Sequence, residues 1–216
     1  MSVFRYTLLS DGSSDRALMP HLTWLLQENG ITSAVYASWA DLGQLREKPR
    51  NLIAKIELTI DLYPSDLLFI HRDAERENLE SRKDEVNGAL AKVNEKFGTP
   101  LAICVIPVRM QEAWLLFDAQ AIRRASGNPN GQVQISLPSL KNAENLPNPK
   151  EFLFNLLKTA SERSGRRLAQ FNVRNSANQV SQYIDDFSPL RILPAFQTLE
   201  SDLKTMIAEQ NWSNSE

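Results

Sequence analysis

Leu67-Leu68-Phe69-Ile70-His71-Arg72-Asp73-Ala74-Glu75 is the stretch that decides the fold. Its first five residues, Leu67 to His71, run with almost no polar interruption, the pattern of a short parallel strand covered on both faces. An acid-rich loop follows at once. Ligands of open α/β sheets sit beyond the carboxyl ends of the strands, so Asp73 and Glu75 stand where a ligand would be met. A second acidic loop, Ser10-Asp11-Gly12-Ser13-Ser14-Asp15, follows the first apolar run, Val3 to Leu9. If these two strands are parallel neighbours, one rim of the sheet carries Asp11, Asp15, Asp73 and Glu75.

Outward from this strand the chain alternates strand and helix. Val3 to Ser10 predicts the first strand. Ser13 or Ser14 can cap the helix that follows, with Asp15 in its first turn. Leu18, Leu22, Leu25 and Leu26 form that helix's apolar stripe, and Asn29-Gly30 stops it. Pro20 fits near the helix start or as a kink. Ser33 to Trp39 predicts a second strand. A second helix carries Leu52, Ile53, Ile56 and Ile60 and ends at Tyr63-Pro64. Ser81 to Phe97 predicts a third helix and Leu101 to Val108 a fourth strand. Strand–helix repetition with short links implies an α/β fold with a mostly parallel four-stranded sheet flanked by helices.

After Pro107 the pattern changes. Gln111 to Asp118 reads as the start of an amphipathic or buried helix, with Trp114 and Phe117 at core spacing. Residues 127 to 149 are rich in Asn, Pro and Gly and predict a long irregular connection. Helices are expected from Glu151, around Val180, Ile184 and Phe187, and from Leu193 to Ile207. The expected organisation is an α/β core over residues 1–118 and a mostly helical extension over 119–216 packed on it.

Composition narrows the class. The 216 residues are 42% hydrophobic and 23% charged, enough for a packed core. A formal net charge of −2 gives no overall attraction to nucleic acid, although a local patch can still bind it. The single cysteine, Cys104, excludes an internal disulfide and fits a reducing compartment. Arg5 interrupts the apolar start, so no secretory leader is expected. No segment approaches the roughly 18 apolar residues of a membrane span. The expectation is a cytoplasmic protein with no membrane partner.

Clustered carboxylates at strand ends repel one another unless a cation joins them. Hard oxygen donors select Mg²⁺ or Mn²⁺, which bind one or two carboxylates together with substrate phosphates. The two acidic loops therefore suit phosphoryl-transfer chemistry, or they simply cap helices and face water. Glu112 can complete the acidic set or serve as a helix-start acid. Arg72 and Arg109 can hold a phosphate bidentately or pair with the local acids. His71 is either a ligand or a satisfied buried histidine. Lys158, Arg163, Arg166, Arg167 and Arg174 form a basic stretch, either a solvated face or a phosphate-contacting patch. No phosphate-binding P-loop, zinc-type cysteine spacing or Gly-x-Ser-x-Gly elbow is present.

The acidic Gly-Ser-Ser-Asp loop after strand one, His71-Arg72-Asp73-Ala74-Glu75 after strand three, and Glu112-Ala113-Trp114-Leu115-Leu116 after strand four together resemble an uncharacterised bacterial TOPRIM-like family. The resemblance runs over nearly the whole chain and includes Asp185-Asp186-Phe187-Ser188-Pro189-Leu190-Arg191. Members are often encoded beside ATPases related to those of DNA-repair and phage-defence systems. TOPRIM domains use a Glu after the first strand and an Asp-x-Asp pair after the third to bind Mg²⁺ for phosphodiester chemistry. The resemblance implies a TOPRIM-like core and a nuclease-like effector acting on DNA or RNA. Asp11, Asp73 and Glu75 would be its metal ligands, Glu112 an auxiliary acid and Arg72 a phosphate contact. It implies equally a non-catalytic module that regulates a partner ATPase. Here Asp11 replaces the family's Glu and is one methylene shorter. In another frame His71 takes the first acidic position, which favours Mn²⁺ because imidazole prefers softer metals.

Overall fold

The computed structural model describes residues 3–74, 79–98, 100–108 and 110–214. The chain divides into two compact units, residues 1–106 with 198–216, and residues 107–197. The expected boundary at 118/119 lies twelve residues beyond the 106/107 division, and the second division falls inside the last helix. Among the described residues no helix is long and apolar enough to cross a membrane.

The first unit is an α/β layer structure around a four-stranded, all-parallel sheet in the order β2-β1-β3-β4. The strands are β1 (Val3–Leu9), β2 (Ala34–Trp39), β3 (Leu67–His71) and β4 (Ala102–Val105). The helices between them are α1 (Met19–Glu28), α2 (Leu52–Leu62) and α3 (Leu79–Phe97). Every residue of β3 is buried, as its unbroken apolar sequence requires for a central strand covered on both faces. The edge strand β2 stays half open, with Tyr36 exposed.

Strands one and three are neighbours, with Tyr6 opposite Leu67 and Leu9 opposite Ile70. From β1 the chain crosses to β2 on one side and then passes back over β1 to β3 and β4. Right-handed crossovers in opposite directions put α1 on one face and α2 and α3 on the other. The contacts agree. The Tyr6 hydroxyl lies 2.9 Å from both the Met19 carbonyl and the Thr23 hydroxyl of α1. On the opposite face Leu9, Leu68 and Ile70 cluster with Ile56 of α2 and Val86 and Val93 of α3.

Local chemistry explains the ends of these elements. A 3₁₀ turn over Ser13–Leu18 precedes α1, and Gly12 rather than a serine occupies its cap. Pro20 then falls in the first turn of α1, where its missing N–H breaks no helical bond. Gly30 stops α1 at φ 100°, a left-handed conformation that favours glycine. The fourth strand is four residues long, shorter than the apolar run from Leu101 to Val108, because Pro107 has no N–H to extend the ladder.

The second unit is helical. Gln111–Leu115 forms a buried 3₁₀ turn, followed by α4 (Ala119–Ala125), α5 (Leu140–Ala143), α6 (Pro149–Ala160), α7 (Gly165–Ala169) and α8 (Val173–Gln179). The last helix, α9 (Pro194–Gln210), begins here. The helix expected around Val180, Ile184 and Phe187 is instead two 3₁₀ turns, Val180–Tyr183 and Ser188–Ile192. Ile184 is extended and Pro189 follows, so a continuous helical ladder cannot form. Residues 127 to 149 are irregular apart from α5, yet they are tied down. Arg123 donates to the Val133 carbonyl at 2.7 Å, and Glu162 accepts the backbone N–H groups of Gln132 and Val133.

Two acids, Glu112 and Glu144, are buried in this unit. Trp114 is fully buried, edge-on to Phe196, and donates its indole N–H to Glu144 at 3.1 Å. Burial raises the pKa of Glu144, opposed by the Trp114 hydrogen bond. Because the folded value lies above the unfolded one, the linked stability is full below the unfolded carboxyl range and is lost as pH rises through the folded value. Glu144→Gln keeps an acceptor for Trp114 without the charge. It is expected to melt about 2–4 °C above the parent near neutral pH, roughly the effect of 1 kcal/mol, with the gap closing in acid. A lower melting temperature at neutral pH would contradict this account.

Candidate functional site

The strand order builds the site. Chain direction diverges between β1 and β3, and a crevice forms there beyond their carboxyl ends. A pocket of about 290 Å³ occupies it, lined by Asp11, Gly12 and Asp15 from the first loop, by His71, Arg72 and Asp73 from the second, and by Arg82. Glu75 and Arg109 lie outside the described residues.

The carboxylates fall into two groups. Asp11 is half-exposed and pairs with Lys55 Nζ and Arg72 Nη1, each at 2.5 Å. Arg72 also reaches Glu85 at 3.1 Å, and Glu85 pairs with Arg82 at 2.8 Å. A chain of alternating charge therefore runs from α2 through both loops to α3. Burial would raise the Asp11 pKa, but the Lys55 hydrogen bond and the charges of Arg72, Lys55 and His71 hold it below the usual carboxylate range.

The second group surrounds His71, which is buried at the end of β3. Its Nδ1–H donates to the Val105 carbonyl of the neighbouring strand at 2.9 Å. That bond turns Nε2 toward two acids, Asp73 Oδ1 at 3.4 Å and Asp15 Oδ2 at 4.0 Å. Burial disfavours the imidazolium, but Asp73, Asp15 and the Val105 carbonyl outweigh it and raise the pKa of His71. Asp15 is itself held in place, because its Oδ2 accepts the Gly12 N–H at 2.9 Å and its Oδ1 the Ser14 hydroxyl at 3.2 Å. Asp73 Oδ1 is shielded from solvent and faces the His71 imidazole at 3.4 Å.

Two carboxylates close to one buried imidazole attract a cation or a proton to the crevice. Carboxylate oxygens are hard donors that suit Mg²⁺ or Mn²⁺. Among the described residues, no three or more His, Cys, Asp and Glu side chains are grouped to hold a metal ion by themselves. The crevice therefore matches the mode in which one or two carboxylates bind the ion and substrate phosphate and water complete its shell.

Of the expected site residues, the fold brings Asp11, Arg72 and Asp73 to one crevice. Glu112 belongs to the second unit, where it is buried in the turn after Met110 with Lys150 Nζ at 3.5 Å. Lys158, Arg163, Arg166, Arg167 and Arg174 are exposed there, with the Arg163 guanidinium 4.8 Å from the Phe171 ring centre. Cys104 is no nucleophile at neutral pH, because burial pushes its thiol up to about 11.

Asp15 reads in the sequence both as a rim acid and as a helix-start acid, but nothing local connects it to His71, and Lys55 had no voice there at all. Lys55 sits between Ile53 and Ile56 of an apolar helix. It lies in the first turns of α2, which return near the carboxyl rim because a crossover helix runs antiparallel to its strands. The Arg82–Glu85 pair at spacing i, i+3 was the one legible hint of the charge chain.

No protein-family model, curated protein or solved structure matches the chain.

Proposed function

We propose that the β1/β3 crevice is a divalent-metal-dependent phosphodiester-cleaving site and that the protein is a nuclease-like effector with a TOPRIM-like core. The observation that carries this reading is the pair of carboxylates, Asp15 and Asp73, that approach the buried His71 Nε2 at 4.0 and 3.4 Å in the crevice. Asp73 and Asp15 would hold Mn²⁺ or Mg²⁺, with Glu75 as a further acid. A bound ion would supply Lewis acidity at a phosphodiester. His71 orients the site through its bond to Val105, which holds the ring in one tautomer facing the acids. Arg72 is the phosphate contact. An incoming phosphate competes with Asp11 and Glu85 for its guanidinium and thereby frees Asp11 as a third ligand. Phage defence beside a partner ATPase is the setting that the sequence resemblance suggests.

The rival reading is a non-catalytic module that binds and regulates such an ATPase. It is favoured by the pairing of Asp11 with both Lys55 and Arg72, two cations with which a metal ion would have to compete for that carboxylate. The deciding experiment incubates the protein with single- and double-stranded DNA and RNA in Mg²⁺ or Mn²⁺, with and without a candidate partner ATPase. Cleavage that disappears with chelator and in Asp73→Asn supports the enzyme. No cleavage under any of these conditions removes the enzyme reading.

A further inference from the structure

We propose that a second pocket on the first unit binds a nucleoside phosphate, free or as one residue of a single strand. The pocket has a volume of about 600 Å³ and opens beyond the ends of β1 and β2, with Asp11 and Lys55 also on its wall. Its size lies within the range of small-molecule sites, about 300–1,000 Å³.

The lining combines three chemistries that seldom coincide by accident. Trp39, the last residue of β2, supplies a partly exposed aromatic face. Its indole N–H donates to Ser10 Oγ at 3.0 Å, which ties the ring to the β1 loop. Arg16 stands over the same ring, its guanidinium 5.4 Å from the centroid, so the indole already holds a planar cation of the kind on which a base stacks. Lys48 is exposed on the loop after β2 and, with Lys55, supplies charge for a phosphate. Asp41, two residues beyond Trp39, is an acceptor suited to a sugar hydroxyl, the role an acid near the end of a second strand fills in dinucleotide sites.

A simple anion would make no use of the indole, and an apolar ligand would make no use of Lys48. A base, a sugar and a phosphate joined together use all three. The inference does not depend on the phosphodiester reading, because the pocket can take a nucleotide whether or not the neighbouring crevice cleaves anything.

The test is calorimetric titration of the full chain in metal-free buffer with AMP, adenosine, inorganic phosphate and a short oligothymidylate. Saturable binding of AMP is expected, about tenfold or more tighter than adenosine or phosphate alone. Trp39→Ala is expected to weaken it about tenfold or more, the range for losing one base–aromatic stack, while Trp39→Phe retains most of it. Lys48→Glu, on an exposed loop, is expected to weaken binding similarly and to flatten its salt dependence. It should leave Mn²⁺ binding at the crevice unchanged, so the two proposals fail separately. Binding of the oligothymidylate alone, lost in the same variants, identifies the ligand as a strand residue. If neither AMP nor the oligothymidylate saturates, or if Trp39→Ala and Lys48→Glu both bind like the parent, the pocket is not a nucleotide site.

Discussion

Asp73→Asn is expected to abolish Mn²⁺ binding by the crevice while leaving the parallel sheet intact. The substitution keeps the volume of the side chain and removes its charge. Asp73 Oδ1 is buried in the crevice with the His71 imidazole 3.4 Å away, so a cation there gains directly from its charge. Mn²⁺ and Mg²⁺ take anionic oxygen far better than an amide, and losing a direct ligand should exceed the 10–100-fold loss seen when an outer partner is removed. Affinity should therefore fall by about a hundredfold or more. Asp15→Asn keeps an acceptor for the Gly12 N–H and should weaken Mn²⁺ binding as well. Asp11→Asn should matter less until phosphate is present, because Lys55 and Arg72 already neutralise that carboxylate.

Folding of Asp73→Asn should change little, because two effects oppose. The amide relieves repulsion between Asp73 and Asp15, but it also takes a counter-charge from the buried His71. Calorimetric titration of Mn²⁺ into the parent and the three variants, each checked by circular dichroism, reads the order directly. Parent-like affinity in Asp73→Asn would remove this residue from the metal site.

Phe69→Ala is expected to lower stability by about 3–5 kcal/mol, the largest effect of any single truncation considered. Phe69 lies in the middle of β3, fully buried, with its ring edge-on to Tyr6 at 5.3 Å and 85°. Tyr6 in turn carries the hydroxyl that meets α1. Truncation opens a void against a strand enclosed by packed side chains on both faces, where collapse is hindered by the sheet's own hydrogen bonds. A domain is stabilised by about 5–15 kcal/mol in all, so the variant should be marginal. The urea midpoint should drop steeply, and the crevice should lose ligand binding with it, because β3 positions His71 and Asp73. A loss under about 1 kcal/mol would show that this strand is not the centre of the packing.

Much of the fold is legible from residue order because its signals are local. An unbroken run such as Leu67 to His71 has one economical environment, a strand covered on both sides. The stripe Leu18, Leu22, Leu25 and Leu26 has only one helical face, and Gly30 and Pro107 end their elements through their own backbone chemistry. The alternation of such elements restricts the sheet to parallel pairing by the handedness of its crossovers. The same periodicity failed around Val180, Ile184 and Phe187, where apolar spacing was compatible with a helix but Pro189 and an extended Ile184 were not.

The acidic loops are equally visible in the sequence, and their meeting is the consequence of one tertiary fact, that β1 and β3 are neighbours. What each acid then does was decided by partners far away along the chain. Lys55, 44 residues from Asp11, and Arg72, 61 residues from it, turn that aspartate into the centre of an ion-pair chain. The Val105 carbonyl, 34 residues from His71, aims the imidazole at Asp15 and Asp73. Coulomb and hydrogen-bond energies depend on separation in space over a few ångströms, and composition and periodicity carry no such distances. Residue order therefore determined which groups reach the rim, and only packing decided which of them face each other.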